Sequence, residues 1–151
     1  MKGVANMANV MQLAKCILDK QGQMTTMKLQ KLCYYCQAWS LAWDDVPLID
    51  EDFQAWANGP VCPELYNAHK GMFTISSSDI KEDYAKAFDE NQMETIDKVL
   101  EHYANKDPQW LSELTHLENP WKLARVGYAP GERCQKVITK ESMQEYYGGL
   151  Q

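Results

Sequence analysis

"TTMKLQKLCYYCQAWSLAW", Thr25 to Trp43, is the stretch on which the fold turns. Leu29, Leu32, Cys33, Cys36, Trp39 or Ser40, and Trp43 recur at steps of three and four, the period of a helix with one apolar face. Thr25 or Thr26 can cap it, a threonine hydroxyl accepting from a free first-turn N–H. The spacing therefore predicts a helix ending near Trp43. Cys33 and Cys36 fall on its apolar stripe, where a reduced cysteine acts as a small hydrophobe. A zinc site needs four ligands, usually from paired knuckles. Cys16, Cys62, His69, His102, His116 and Cys134 could complete one, but no second C-x-x-C or H-x-x-x-H is present. A redox dithiol needs its first cysteine at a helix N-terminus, and Cys33 lies about seven residues inside. Core packing is the reading preferred for this pair. Tyr34 and Tyr35 are adjacent, so one of them should leave the stripe, and Tyr34 is expected to face outward.

The flanking sequence has the same character. Val10, Leu13, Ala14, Ile17 and Leu18 form a second helical stripe that Gly22 can stop. Phe53 to Ala57 alternates like a short strand, and "NGP" breaks it. Pro63 opens a short helix through His69 or Lys70. "GMFTISSSDI" can hold a further short strand. Met93, Ile96, Val99, Leu100 and Tyr103 mark a helix over 91–105. Asp107-Pro108 and Asn119-Pro120 each set a capping side chain before a proline, predicting helices at about 108–117 and 120–126. Thr139 begins a last helix with Met143, Tyr146 and Tyr147, stopped by Gly148-Gly149. The expected fold is mainly α, a compact single-domain helical bundle with one or two short β-strands over residues 1–151.

Composition narrows the function classes. The 151 residues are 45% hydrophobic and 24% charged, as in a globular domain. No apolar run approaches the roughly 20 residues of a membrane span, and "MKGVANMANVMQLAKCILDK" lacks a continuous apolar signal core. The expectation is a cytoplasmic protein with no membrane partner and reduced thiols, since the five cysteines are odd in number. Twenty-one acidic against fifteen basic residues give a net charge of −6, which argues against nucleic acid. A DNA-binding autoregulator would have to rest on a local patch such as Lys28 and Lys31. His116 with Glu113 and Glu118 could form an acid–base set, but helix spacing accounts for them, and a hydrogen-bonded structural histidine is the preferred reading. No G-x-S-x-G, H-E-x-x-H or phosphate-cradling loop is present. No catalytic residue, metal or cofactor is assigned, and a non-enzyme is expected. Five tryptophans and eight tyrosines exceed the needs of a small helical core. Tyr and Trp are common interface anchors.

One resemblance covers nearly the whole chain, about residues 7–147. Lys28, Leu29, Gln30, Lys31, Leu32, Tyr34, Tyr35, Gln37 and Trp39 are followed by Pro47-Leu48, then by Ala55, Trp56, Gly59, Pro60, Val61, Pro63 and Tyr66, then by Leu114, Thr115, His116, Pro120 and Trp121. In order and spacing this resembles the Panacea domain family, phage-associated GepA-like or SocA-like proteins. Cys33 and Cys36 stand where the family usually has small or aliphatic residues, and Ile49 replaces its usual aromatic. The resemblance implies an antitoxin, phage- or prophage-associated, that neutralises a cognate toxin protein by direct binding. A SocA-like member instead resembles an adaptor delivering its toxin to a ClpXP-type protease, and some members have no toxin partner. The residues taken as candidates for partner binding are Lys28, Lys31, Tyr34, Trp56, Tyr66 and Trp121.

Overall fold

The computed structural model describes residues 7–150. The opening of the segment weighed as a signal, residues 1–6, lies outside that range, as does Gln151. Among the described residues, seven α-helices and five short strands occur. They are α1 (Val10–Gln21), β1 (Met24–Thr25), α2 (Thr26–Asp44), β2 (Phe53–Trp56), β3 (Gly59–Val61), α3 (Pro63–His69), β4 (Thr74–Ile75), α4 (Glu90–Tyr103), α5 (Pro108–Leu117), α6 (Asn119–Ala124), β5 (Val137–Ile138) and α7 (Lys140–Gly148). The chain is mainly α, and most helix starts follow the capping logic; Asn119 does not cap as expected, since α6 begins at Asn119 itself and Glu118 before it makes no side-chain cap bond, its carboxylate being taken by Tyr35 and Tyr147. Asn9, Thr25, Asp89, Asp107 and Thr139 each accept a first-turn N–H with the side chain. Pro108 and Pro63 occupy first-turn positions, where a missing N–H costs nothing.

The strands are more numerous than expected. "NGP" does not simply end a strand: Trp56 pairs with Gly59 across Ala57-Asn58, so β2 and β3 form an antiparallel hairpin, and β5 adds to the other edge of β2. β1 pairs with β4, Met24 opposite Ile75. A two-residue strand has no period of its own; it exists because a distant segment supplies its partner.

The larger revision concerns α2. It is a central helix packed by α7, α4, α1, α5 and the hairpin. Every residue from Leu29 to Ala38 is buried. Cys33 and Cys36 lie in this core, as the packing reading expects. Burial raises the pKa of both thiols, so both stay protonated. Tyr34 does not face outward: it is 1% exposed, because α7 covers the side of α2 opposite the expected stripe. Lys31 is also 1% exposed.

Candidate functional site

A helix buried all round must satisfy its polar side chains internally. Gln30 and Gln37, seven residues apart, do so by replacing missing strand partners. Gln37 Oε1 accepts from the N–H groups of Leu48 (2.7 Å) and Ile49 (3.0 Å), and its Nε2 donates to the Ile49 carbonyl at 3.1 Å. Gln30 Oε1 accepts from Cys62 N–H at 2.8 Å, and its Nε2 lies 3.2 Å from the Cys62 carbonyl and 3.0 Å from His69 Nε2. Each amide thus pins one loop to α2.

The tyrosines converge on Glu118. Tyr35 and Tyr147 both donate to its Oε1 at 2.7 Å. Tyr34 and Tyr147 hydroxyls lie 3.1 Å apart, and with the Tyr147 proton committed to Glu118, Tyr34 donates. Burial raises the Glu118 pKa, opposed by the two tyrosine hydrogen bonds. Trp39 adds a hydrogen bond from Nε1 to the Tyr103 hydroxyl at 2.9 Å, and Tyr103 stacks on Tyr35 at 4.2 Å. Most of the Lys28–Trp39 signature therefore holds the interior together.

The same helix reaches a cleft of about 570 Å³, lined by Met27, Gln30 and Lys31 of α2, by Trp56, Ala57, Asn58 and Val61 of the hairpin, by Tyr66 and Lys70, and by Gly131 and Arg133–Gln135. Of the six candidates, Lys31, Trp56 and Tyr66 meet here. Trp56 and Tyr66 rings contact edge-on at 5.0 Å. Trp121 stands behind them, its Nε1 donating to the Trp56 carbonyl at 2.8 Å. Lys28 is half-buried one turn before Lys31, and Tyr34 lies in the Glu118 network, outside the cleft.

Arg125, buried, shapes the far wall. Its guanidinium donates to the carbonyls of Ala55 (2.8 Å), Ala129 (3.1 Å) and Glu132 (2.6 Å), fastening the 126–136 loop to β2. Arg125, Lys70 and Arg133 were not singled out from sequence, since the loop that carries Arg133 has no periodicity. His116 stacks on Trp121 at 4.1 Å, and its Nε2 is buried with no hydrogen-bond partner. It is held by stacking, not by the hydrogen bond expected of it. Burial, then the Lys31 and Arg125 charges, lower its pKa.

Lys31 is the unusual group. Its Nζ donates to the Pro60 carbonyl at 3.2 Å. Ion pairs among the described residues are Lys20–Asp97 and Lys140–Asp52, so this ammonium has no counter-ion there. Gly59, at φ +119°, makes room for it: a Cβ would sit 2.6 Å from Lys31 Cε and 2.9 Å from Thr115 Oγ1. Burial holds the Lys31 pKa down to about 7. The unfolded chain then keeps this proton between about pH 7 and 10.5 while the folded chain releases it, so Lys31 makes stability rise with pH across that window. Lys31→Met is expected to remove that rise. Measured by urea unfolding at pH 7 and pH 9, the wild type should gain on the order of 2 kcal/mol more than the variant.

No group of three or more His, Cys, Asp or Glu side chains among the described residues could hold a metal ion. No helix there is long and apolar enough to cross a membrane. The family described as "Antitoxin SocA-like, Panacea domain" matches residues 29–122, which run from α2 into α6 and include the hairpin, Glu118 and Trp121. The chain is also similar to Antitoxin SocA of Caulobacter vibrioides, 28% identical, with 83% of this chain and 78% of that protein covered. No solved structure matches it. The internal signature and the family match cover the same helix, hairpin and glutamate, and this chain belongs to the SocA-like Panacea domain family of antitoxins.

Proposed function

We propose that this protein is an antitoxin that neutralises a cognate toxin protein by direct binding, without catalysis of its own. The observation that carries the reading is the cleft between α2, the hairpin and the 131–135 segment. It brings two part-buried aromatic anchors, Trp56 and Tyr66, together with Lys31 at one cleft, while Leu29 to Ala38 of the same signature are internal. A specific interface of about 1,600 Å² with such anchors suffices to block a toxin. Lys28, on the half-buried first turn of α2, and Trp121, behind Trp56, would border or support that interface.

Co-expression with the protein encoded by the adjacent gene tests this. The expected result is restored growth, and co-purification of the two proteins at equal stoichiometry. Toxicity that persists in the presence of this protein would remove the reading for that pair. Protection that vanishes in a strain lacking a ClpXP-type protease would replace sequestration by delivery to the protease.

A further inference from the structure

The cleft carries a charge opposite to that of the chain. Acidic residues outnumber basic ones 21 to 15 overall. The cleft is nonetheless lined by Lys31, Lys70 and Arg133, with no Asp or Glu among its lining residues. Lys31 presents three N–H donors, of which one is matched, by the Pro60 carbonyl. Burying an ammonium without a counter-charge is unfavourable, and an apolar side chain of similar volume would do better for folding alone. A carboxylate at the base of the cleft would supply the missing counter-charge and favour the protonated ammonium, which burial alone disfavours above about pH 7. Trp56 and Tyr66, in edge-on contact, supply apolar aromatic surface beside it.

We propose that this cleft is the receptor for an acidic segment of the bound toxin, an Asp or Glu carboxylate seating against Lys31, with Lys70 and Arg133 supplying further positive charge and the segment's apolar atoms lying on Trp56 and Tyr66. This deepens the antitoxin reading and rests on it for the identity of the partner. A protein carboxylate is favoured over an extended polyanion because Lys31, Lys70 and Arg133 line a single cleft of about 570 Å³, too small for a long backbone, on a chain whose net charge of −6 disfavours a nucleic acid or an anionic membrane. The volume, about 570 Å³, is within the range of sites that enclose a ligand.

The test uses ¹⁵N-labelled full-length protein and two capped pentapeptides, one with alternating glutamates and the other with glutamines in their place. The acidic peptide should shift the Trp56 indole N–H and the Gly131 amide, and bind about fivefold or more tighter than its neutral twin. Lys31→Met and Arg133→Gln should each abolish that preference while the melting midpoint stays at or above the wild-type value for the first and unchanged for the exposed second. Equal binding of both peptides overturns the proposal. So does sodium acetate reproducing the shifts at the same concentration, or ATP binding more tightly than the peptide. Co-expression separates the two levels. If wild type and a folded Lys31→Met/Arg133→Gln variant protect equally, the receptor fails and the antitoxin reading stands. If wild type gives no protection while the acidic peptide binds with these preferences, the antitoxin reading fails and the cleft remains a carboxylate receptor.

Discussion

Glu118→Ala is expected to lower the unfolding free energy by about 3–5 kcal/mol, read as a shift in urea midpoint with unchanged slope. One carboxylate oxygen ends two buried tyrosine hydroxyls, Tyr35 and Tyr147, and Tyr34 hangs on the second. Without it, two buried donors on α2 and α7 lose their acceptor. Glu118→Gln separates hydrogen bonding from charge. Its amide oxygen can keep both bonds, so its stability at pH 7 should stay within about 1 kcal/mol of wild type. The pH dependence should differ. Burial raises the folded pKa of Glu118 above its unfolded value. The folded chain then holds this proton where the unfolded chain has released it, so Glu118 makes stability fall as pH rises from the unfolded pKa through the raised one. The glutamine variant should lack that fall. A variant whose urea midpoint follows the wild type over pH 4–7 would show that Glu118 is not the group responsible.

Gln37→Met should be as damaging, at about 3–6 kcal/mol, although it keeps the size and the helix propensity of the side chain. It strands three backbone groups together, the N–H of Leu48 and both the N–H and C=O of Ile49. Leu48 and Ile49 are fully buried, so these groups cannot turn to solvent without pulling apolar side chains out of the core. Hydrogen exchange should quicken at the Leu48 and Ile49 amides before it does in α1 or α4. Gln37→Glu keeps the two acceptor bonds but loses the donor and adds a buried charge. Its stability should recover as the pH falls and the carboxyl gains a proton to offer the Ile49 carbonyl. Uniform loss of protection across the whole domain would instead mean that the loop and helix unfold as one unit.

Helix positions were legible because their signals are local. Thr25, Asp107 and Thr139 cap within three residues, and Pro63 and Pro108 sit in first turns; Asn119 has the same local signal but lies inside α6, whose start is set by the Glu118 network. What surrounds a helix is not local. Period alone gave α2 one apolar face, yet α7, about a hundred residues later, covers the other and takes Tyr34 inside. The Gln30–Gln37 spacing was a usable sign, since two amides seven apart share one helix face. The aromatic half of the cleft, Trp56 and Tyr66, could be named from residue type and the resemblance. Arg133 could not, because its placement depends on Arg125 holding a loop against β2, and Lys70, just past the end of α3, has no local signal that turns it to the cleft.

The bond between Tyr34 and Tyr147 spans 113 residues of chain. Translation adds about 5–20 residues per second, so the most densely buried helix is made roughly 6–20 s before its last partner. Through that interval Leu29 to Ala38 forms a sticky, incompletely covered segment on a nascent chain. Completion of the core is then limited by synthesis of the C-terminal helix, and by whatever shields α2 until α7 arrives.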